Sequence, residues 1–232
     1  MTGPVVAIVP AAGTGTRFGK GTNKPFASLA NKPLILWAVE TLQGLPEITE
    51  IIPVVKETDL KPCSQLFEEH KITKIRRIAP GGRERQDSVF HGLNLIKDKK
   101  AVVLVHDGVR PLIEPSVISD ALKQLSGCDG VVVGVPIKDT IKEVRDGIVR
   151  NTPDRGLLWA VQTPQIFHFQ PLYDAYEKAM RGSFYTTDDS ALVERNGGKI
   201  RMVHGSYTNI KVTTPEDLLI AEVFLKMRGE PA

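Results

Sequence analysis

Apolar positions along this chain follow two rhythms. "VVAIV" (5–9) is a continuous run rich in β-branched residues, the pattern of a strand buried on both faces. At 33–42 the rhythm changes. Leu34, Trp37, Ala38 and Leu42 recur at helical spacing, with Pro33 near the first turn and Gly44 past the end. "EIIPVV" (50–55) predicts a second strand, which Pro53 draws toward an edge or irregular position. A short strand at 74–78 is expected next, then a helix at 85–96 with Val89, Leu93 and Ile96 on one face. "AVVLVHD" (101–107) is the clearest buried strand. Residues 115–125 predict a helix and "GVVVGVP" (130–136) another strand. Strand and helix alternating in this way give an α/β protein, a parallel sheet with helices on both faces.

The pattern breaks at 137–162, where apolar and polar residues alternate weakly around the hairpin signal "RDG". This predicts a β excursion from the main sheet, either an arm that meets another subunit or a surface hairpin of the same domain. Helices are expected at 171–180 and 188–196, strands at 199–203 and 209–212. A last helix begins cleanly, with Thr214 as N-cap, Pro215 at the first helical position and Asp217 placed to reach back. No internal repeat interrupts the series, so 1–232 is expected to form a single domain that carries 137–162 as an arm.

Composition adds exclusions. A chain of 232 residues, 41% hydrophobic and 25% charged, can bury a full core without staples. The net charge of +3 is mild and its basic residues are scattered, which argues against nucleic acid or a polybasic membrane patch as partner. Cys63 and Cys128 form no spaced pair, so neither a disulfide framework nor a zinc site is expected. The first residues do not have the makeup of a signal peptide, and no apolar run approaches membrane-spanning length, so a cytoplasmic protein is expected.

The chemistry concentrates in "VPAAGTGTRFGKGTNKPF" (9–26). Glycines after a buried strand let backbone N–H groups approach a phosphate. A tight turn without a ligand is the competing interpretation. The Walker pattern fails, because Gly21 stands where Ser or Thr should bind magnesium, and the dinucleotide fingerprint is weak, because Phe18 takes the third glycine's place. Arg17 and Lys24 close to the glycines can stabilise charge on a phosphoryl group during displacement.

"PAAGTGTRFGKGTNKPF" resembles the signature loop of the nucleotidyltransferases that activate sugar and polyol phosphates. "APGGRERQDSVFHGL" (79–93) and "VHDGVRP" (105–111) narrow the resemblance to the cytidylyltransferases acting on 2-C-methyl-D-erythritol 4-phosphate. "PIKDTIK" (136–142), "DRGLLWAVQTPQIF" (154–167), "TDDSALVE" (187–194) and "NIKVTTPEDL" (209–218) match in the family's order. The resemblance covers nearly the whole chain. It implies a Rossmann-like sheet with a β-arm for dimerisation, CTP and 2-C-methyl-D-erythritol 4-phosphate as substrates, Mg²⁺ as cofactor and a place in non-mevalonate isoprenoid synthesis.

Residue by residue, the resemblance implies that Ala11, Ala12, Gly13 and Gly15 wrap the triphosphate, with Arg17, Lys24 and Lys211 as catalytic cations. Gly81, Gly82, Ser88 and Gly108 would meet the nucleoside, although Ser88 also suits a helix-start polar group. Asp107, at the end of a buried strand, suits a hydroxyl acceptor or magnesium ligand, or an ion pair with Arg110 that fixes its loop. Thr140 and Arg155 on the arm would bind the acceptor phosphate across a dimer interface, and Thr163 and Lys211 would complete the pocket. Thr187 belongs to the same set, although it and Asp188 also suit helix capping. Arg83 and Val109 depart from the family pattern beside the nucleoside. The rivals are a cytidylyltransferase for ribitol 5-phosphate, a non-catalytic CTP sensor and a nicotinamide-dependent dehydrogenase.

Overall fold

A computed structural model describes residues 3–13 and 24–230 of the chain. Its centre is a seven-stranded sheet of order β11-β7-β10-β6-β1-β4-β5. The strands are β1 (Val5–Pro10), β4 (Ile48–Val55), β5 (Ala79–Pro80), β6 (Val102–Val105), β7 (Gly130–Pro136), β10 (Trp159–His168) and β11 (Ile200–His204). All neighbours run parallel except β10, which is antiparallel to both β6 and β7. Two small hairpins lie outside this sheet. One pairs β2 (Ser28–Leu29) with β3 (Lys32–Pro33), and the other pairs β8 (Glu143–Arg145) with β9 (Ile148–Asn151).

The helices cover both faces because successive strand residues point to opposite sides. From β1, Val5, Ala7 and Val9 enter one core with α1 (Leu34–Gly44), α2 (Leu60–Glu69) and α4 (Pro115–Lys123). Val6 and Ile8 enter the other, against α3 (Arg85–Leu95), α5 (Phe169–Arg181) and α6 (Ser190–Arg195). A third cluster packs Ala221 and Leu225 of α7 (Pro215–Met227) against Leu34, Trp37 and Leu112. Each fully buried Leu, Ile or Val of these cores contributes roughly 1.5–3 kcal/mol by leaving water.

Several expectations need correction. The stretch 74–78 is not a strand; it makes one isolated bridge, Ile51 to Ile75, and the edge strand is the two-residue β5. Its Arg77 turns aside to a bidentate pair with Glu50, at 2.8 and 2.9 Å. Residues 209–212 are also not a strand, since only the Val212 N–H reaches across, to the Val109 carbonyl at 2.9 Å. Helix α2 was not expected at all, though Leu60, Cys63 and Phe67 share a face. Pro53 is buried in β4 and keeps its missing donor on the side away from β1: its neighbours on that side bond outward, Ile51 N–H to the Lys74 carbonyl and the Val55 carbonyl from Gly81 N–H. Of the stretch 137–162, residues 159–162 run in β10, where Trp159, Ala160 and Val161 pair with β7.

Strands β1 and β6 lie side by side and parallel, and a crevice opens beyond their carboxyl ends. Most of the charged and glycine positions singled out in the described chain gather there.

Candidate active site

The crevice is a cleft of about 340 Å³ lined by the ends of β1 and β6, the start of α3 and the segment before α7. Ala11, Ala12 and Gly13 form one wall as β1 ends. Lys24, at the head of a one-turn 3₁₀ helix (Lys24–Phe26), borders them. Gly15 and Arg17 lie outside the described residues.

The opposite wall is built by α3. Gly81 has no room for a side chain, since a Cβ there would stand 2.2 Å from that of Ala12. This close approach joins the β5 loop to the β1 loop. Asp87 reaches back to the Glu84 N–H at 2.9 Å and closes the helix start. Ser88 is therefore not the cap. Its hydroxyl accepts from Gly82 N–H at 3.0 Å and donates to the Glu84 carbonyl at 3.1 Å, which shapes the loop while the residue still lines the cleft. Gly108 packs against β1, where a Cβ would meet Val9 and Ala11 at 3.1 and 3.2 Å, and it does not line the cleft.

Asp107 is the electrostatic centre. It is 4% exposed and faces three cations. Lys211 Nζ lies 2.7 Å from Oδ2, Arg85 Nε donates to Oδ1 at 3.0 Å, and Arg110 Nε stands 3.9 Å from Oδ2. Burial alone would raise the carboxyl's pKa, but Arg85, Lys211 and Arg110 together outweigh it and hold Asp107 far below the usual carboxylate range. It is ionised at any physiological pH. Arg110 donates to the Asn209 carbonyl at 2.8 Å, while its buried Nε has no hydrogen-bond partner. Burial, partly offset by Asp107, moves its pKa below the ordinary arginine value.

Behind Asp107 lies a neutral relay. Its N–H donates to Thr163 Oγ1, and that hydroxyl meets His106 Nδ1, both at 3.0 Å. His106 Nε2 is 3.1 Å from the Arg110 carbonyl, an acceptor only, so Nε2 carries the hydrogen and Nδ1 accepts from Thr163. Burial pushes the His106 pKa down to about 4. Thr163, expected at the substrate, thus stands behind the cleft and holds Asp107.

The remaining expected residues lie apart. Thr140 and Arg155 are exposed on the arm and do not line this chain's cleft; Arg155 donates to the Lys138 carbonyl at 2.8 Å. Thr187 is exposed, and its neighbour Asp188 accepts from Ala191 N–H at 3.3 Å in the manner of a helix cap. Arg85 is the charged cleft residue to which the sequence assigned no role beside Asp107. Arg85 lines the cleft, holds Asp107, and is held in turn by Asp189 through two 2.9 Å bonds. It is the second arginine of the "GGRER" segment already singled out, so the signal was there and only its role was missed.

Comparison with known proteins agrees with this geometry. Residues 5–227 match the model of the 2-C-methyl-D-erythritol 4-phosphate cytidylyltransferase family. The enzyme of that name from Desulforamulus reducens is 41% identical over 98% of both chains. Its counterpart from Clostridioides difficile is 44% identical over 95% of this chain and 93% of the other. The crystal structure of 4-diphosphocytidyl-2C-methyl-D-erythritol synthase from Anaerococcus prevotii superposes with a TM-score of 0.86 at 32% identity, covering 97% of this chain and 96% of that one. With the fold, the cleft and these relatives in agreement, the chain belongs to the 2-C-methyl-D-erythritol 4-phosphate cytidylyltransferase family.

Proposed function

We propose that this protein transfers the cytidylyl group of CTP to 2-C-methyl-D-erythritol 4-phosphate, releasing pyrophosphate and forming 4-diphosphocytidyl-2-C-methyl-D-erythritol for non-mevalonate isoprenoid synthesis. The observation that carries this reading is the cleft itself: Ala11–Gly13 backbone, Lys24 and Lys211 converge on one space beyond the strand ends, with Asp107 fixed at its floor.

An acceptor phosphate oxygen attacks the α-phosphorus, and the bond to the β-phosphate bridging oxygen breaks. The nucleophile is already ionised at neutral pH, so the site needs no general base, and neutral His106 is not asked to be one. The difficulty is bringing two anions together, which fixed cations and positioning overcome. Lys24 takes charge on the triphosphate, and Arg17 is assigned the same task by resemblance. Lys211 and Arg110 balance the acceptor and the carboxylate of Asp107.

Magnesium fits this site in one way. Among the described residues no cluster of three or more His, Cys, Asp or Glu side chains gathers. Asp107 and Glu84 are the carboxylates among the described cleft residues, and Asp107, at the floor, would hold the ion beside a bound triphosphate. The ion would supply phosphate-charge neutralisation.

The arm supports a homodimer. Val144, Ile148, Val149 and Leu157 are 54–80% exposed there. A two-stranded hairpin of this kind is marginal alone in water and gains by packing. In the dimer, Arg155 and Thr140 of one subunit bind the acceptor phosphate at the other's cleft. No helix among the described residues is long and apolar enough to cross a membrane, and we place the enzyme in the cytoplasm.

The test is magnesium-dependent pyrophosphate release from CTP, with 2-C-methyl-D-erythritol 4-phosphate and ribitol 5-phosphate offered separately. Release with the first alone is expected. Release only with ribitol 5-phosphate would move the acceptor, and CTP binding without release from either would leave a sensor.

A further inference from the structure

Asp107 owes part of its orientation to Asp189, which does not line the cleft and acts through Arg85. Arg85 spends its Nε on Asp107 Oδ1, and its two terminal nitrogens go to Asp189 Oδ1 and Oδ2, each at 2.9 Å. A guanidinium held at both terminal nitrogens has one place left for Nε, so the fork fixes where Asp107 is gripped. Asp189 is 1% exposed and itself locked. Tyr176 donates its hydroxyl to Asp189 Oδ1. The Asp189 N–H donates to Gln165 Oε1 at 3.1 Å, and Gln165 stands opposite Val105 in the sheet, at the end of the strand that leads to Asp107. Two rigid elements, β10 and α5, thus brace a carboxylate that orients the cleft from behind.

We propose that Asp189 is a positioning residue for CTP: through Arg85 it sets the Asp107 carboxylate that receives the nucleotide. This rests on the assignment of CTP to the cleft. It goes beyond that assignment by giving a specific task to an acid outside the cleft.

Charge and positioning predict opposite signs, which makes the idea testable. Arg85, Arg110 and Lys211 face Asp107 and Asp189, three cations against two carboxylates. Removing the charge of Asp189 makes the cluster more positive, and simple attraction would then tighten the hold on a triphosphate. Loss of positioning weakens it instead, because Arg85 is freed and Asp107 loses its grip at Oδ1.

The experiment is a binding cycle with CTP and magnesium by titration calorimetry on the wild type, Asp189→Asn, Asp107→Asn and the double variant, each with a thermal melt. Asp189→Asn is expected to weaken CTP binding by about tenfold, and the double variant to match Asp107→Asn alone, since the effect passes through Asp107. Unchanged or tighter binding in Asp189→Asn, or two effects that simply multiply, would overturn the proposal. If Asp189→Asn fails to give a cooperative melt, Tyr176→Phe decides. It removes one lock on Asp189, and about threefold weaker binding is expected; unaltered binding would overturn the idea. Wild-type turnover is read separately. Binding without pyrophosphate release would sink the transferase reading and leave the cycle interpretable, whereas no CTP binding by the wild type would sink both.

Discussion

The floor of the cleft and the arm carry comparable charge and treat it in opposite ways. Asp107 itself is buried and the polar groups around it are held in fixed geometry: two cations within 3.0 Å, a third nearby, a relay behind and a second carboxylate bracing Arg85. On the arm, residues 138–152 are all exposed, and Arg155 is anchored by one bond to a backbone carbonyl. Fixed charge costs folding energy that only a function requiring that geometry justifies. Exposed charge beside exposed Val149 and Leu157 is surface in this chain, and in the proposed dimer it would become a site where a second copy covers it. The floor of the cleft is built within one chain, whereas Thr140 and Arg155 on the arm do not line that chain's cleft.

The comparison can be broken most sharply at Lys24. Lys24→Ala should lower kcat for pyrophosphate release by roughly 10²–10³-fold, the usual loss for one preorganised donor to transition-state charge. Its melting temperature should stay near wild type, because Lys24 sits in a short 3₁₀ turn at the cleft edge rather than in a core. Near-normal turnover would remove this lysine from the chemistry.

The arm should respond to the opposite treatment. Leu157 is 80% exposed and Val149 is 54% exposed, so charging both as Asp costs a single copy little stability. If they pack in a dimer, the double variant should sediment as a monomer and lose most of its activity. A variant that remains dimeric would assign the interface elsewhere.

Acid sharpens the contrast in the buried region. His106 titrates near 6.5 when unfolded and about 4 when folded. The unfolded chain therefore takes the proton first, and stability is full above about pH 6.5 and declines as pH falls toward 4, by ~3 kcal/mol from this group. Urea unfolding across that window should show the loss, and His106→Gln should flatten it. The smallest effect is expected at Ser88. Ser88→Ala leaves the Gly82 N–H without its partner and should cost about 1 kcal/mol, with a modest rise in KM for CTP.

How far the sequence spoke differs by region for physical reasons. The parallel strands were legible because burial on both faces leaves uninterrupted Val and Ile runs, as in β1, β6 and β7. Strand β10 was not, because "WAVQTPQIFH" mixes an exposed start with a buried end and its antiparallel partners are set by tertiary contacts. Asp107 was legible as an acid at a strand end, while most of the glycine loop lies outside the described residues; Lys211 beside Asp107 was not legible, since only folding brings such distant positions to 2.7 Å. Thr163 was legible as a member of the set and misjudged in place. It serves the cleft from behind, through one hydrogen bond to the Asp107 backbone. Arg85 shows the same limit, for a motif names an arginine and only the fold shows two carboxylates holding it.

The claim that cleft and arm form one site across two copies is tested most directly by mixing subunits. Lys24→Ala and Arg155→Ala, each inactive alone, should on exchange at equal amounts regain about a quarter of wild-type activity, because half the dimers are mixed and each carries one intact site. No recovery, with exchange proven by mass-tagged chains, would mean that Arg155 serves its own subunit or none, and the shared site would fall.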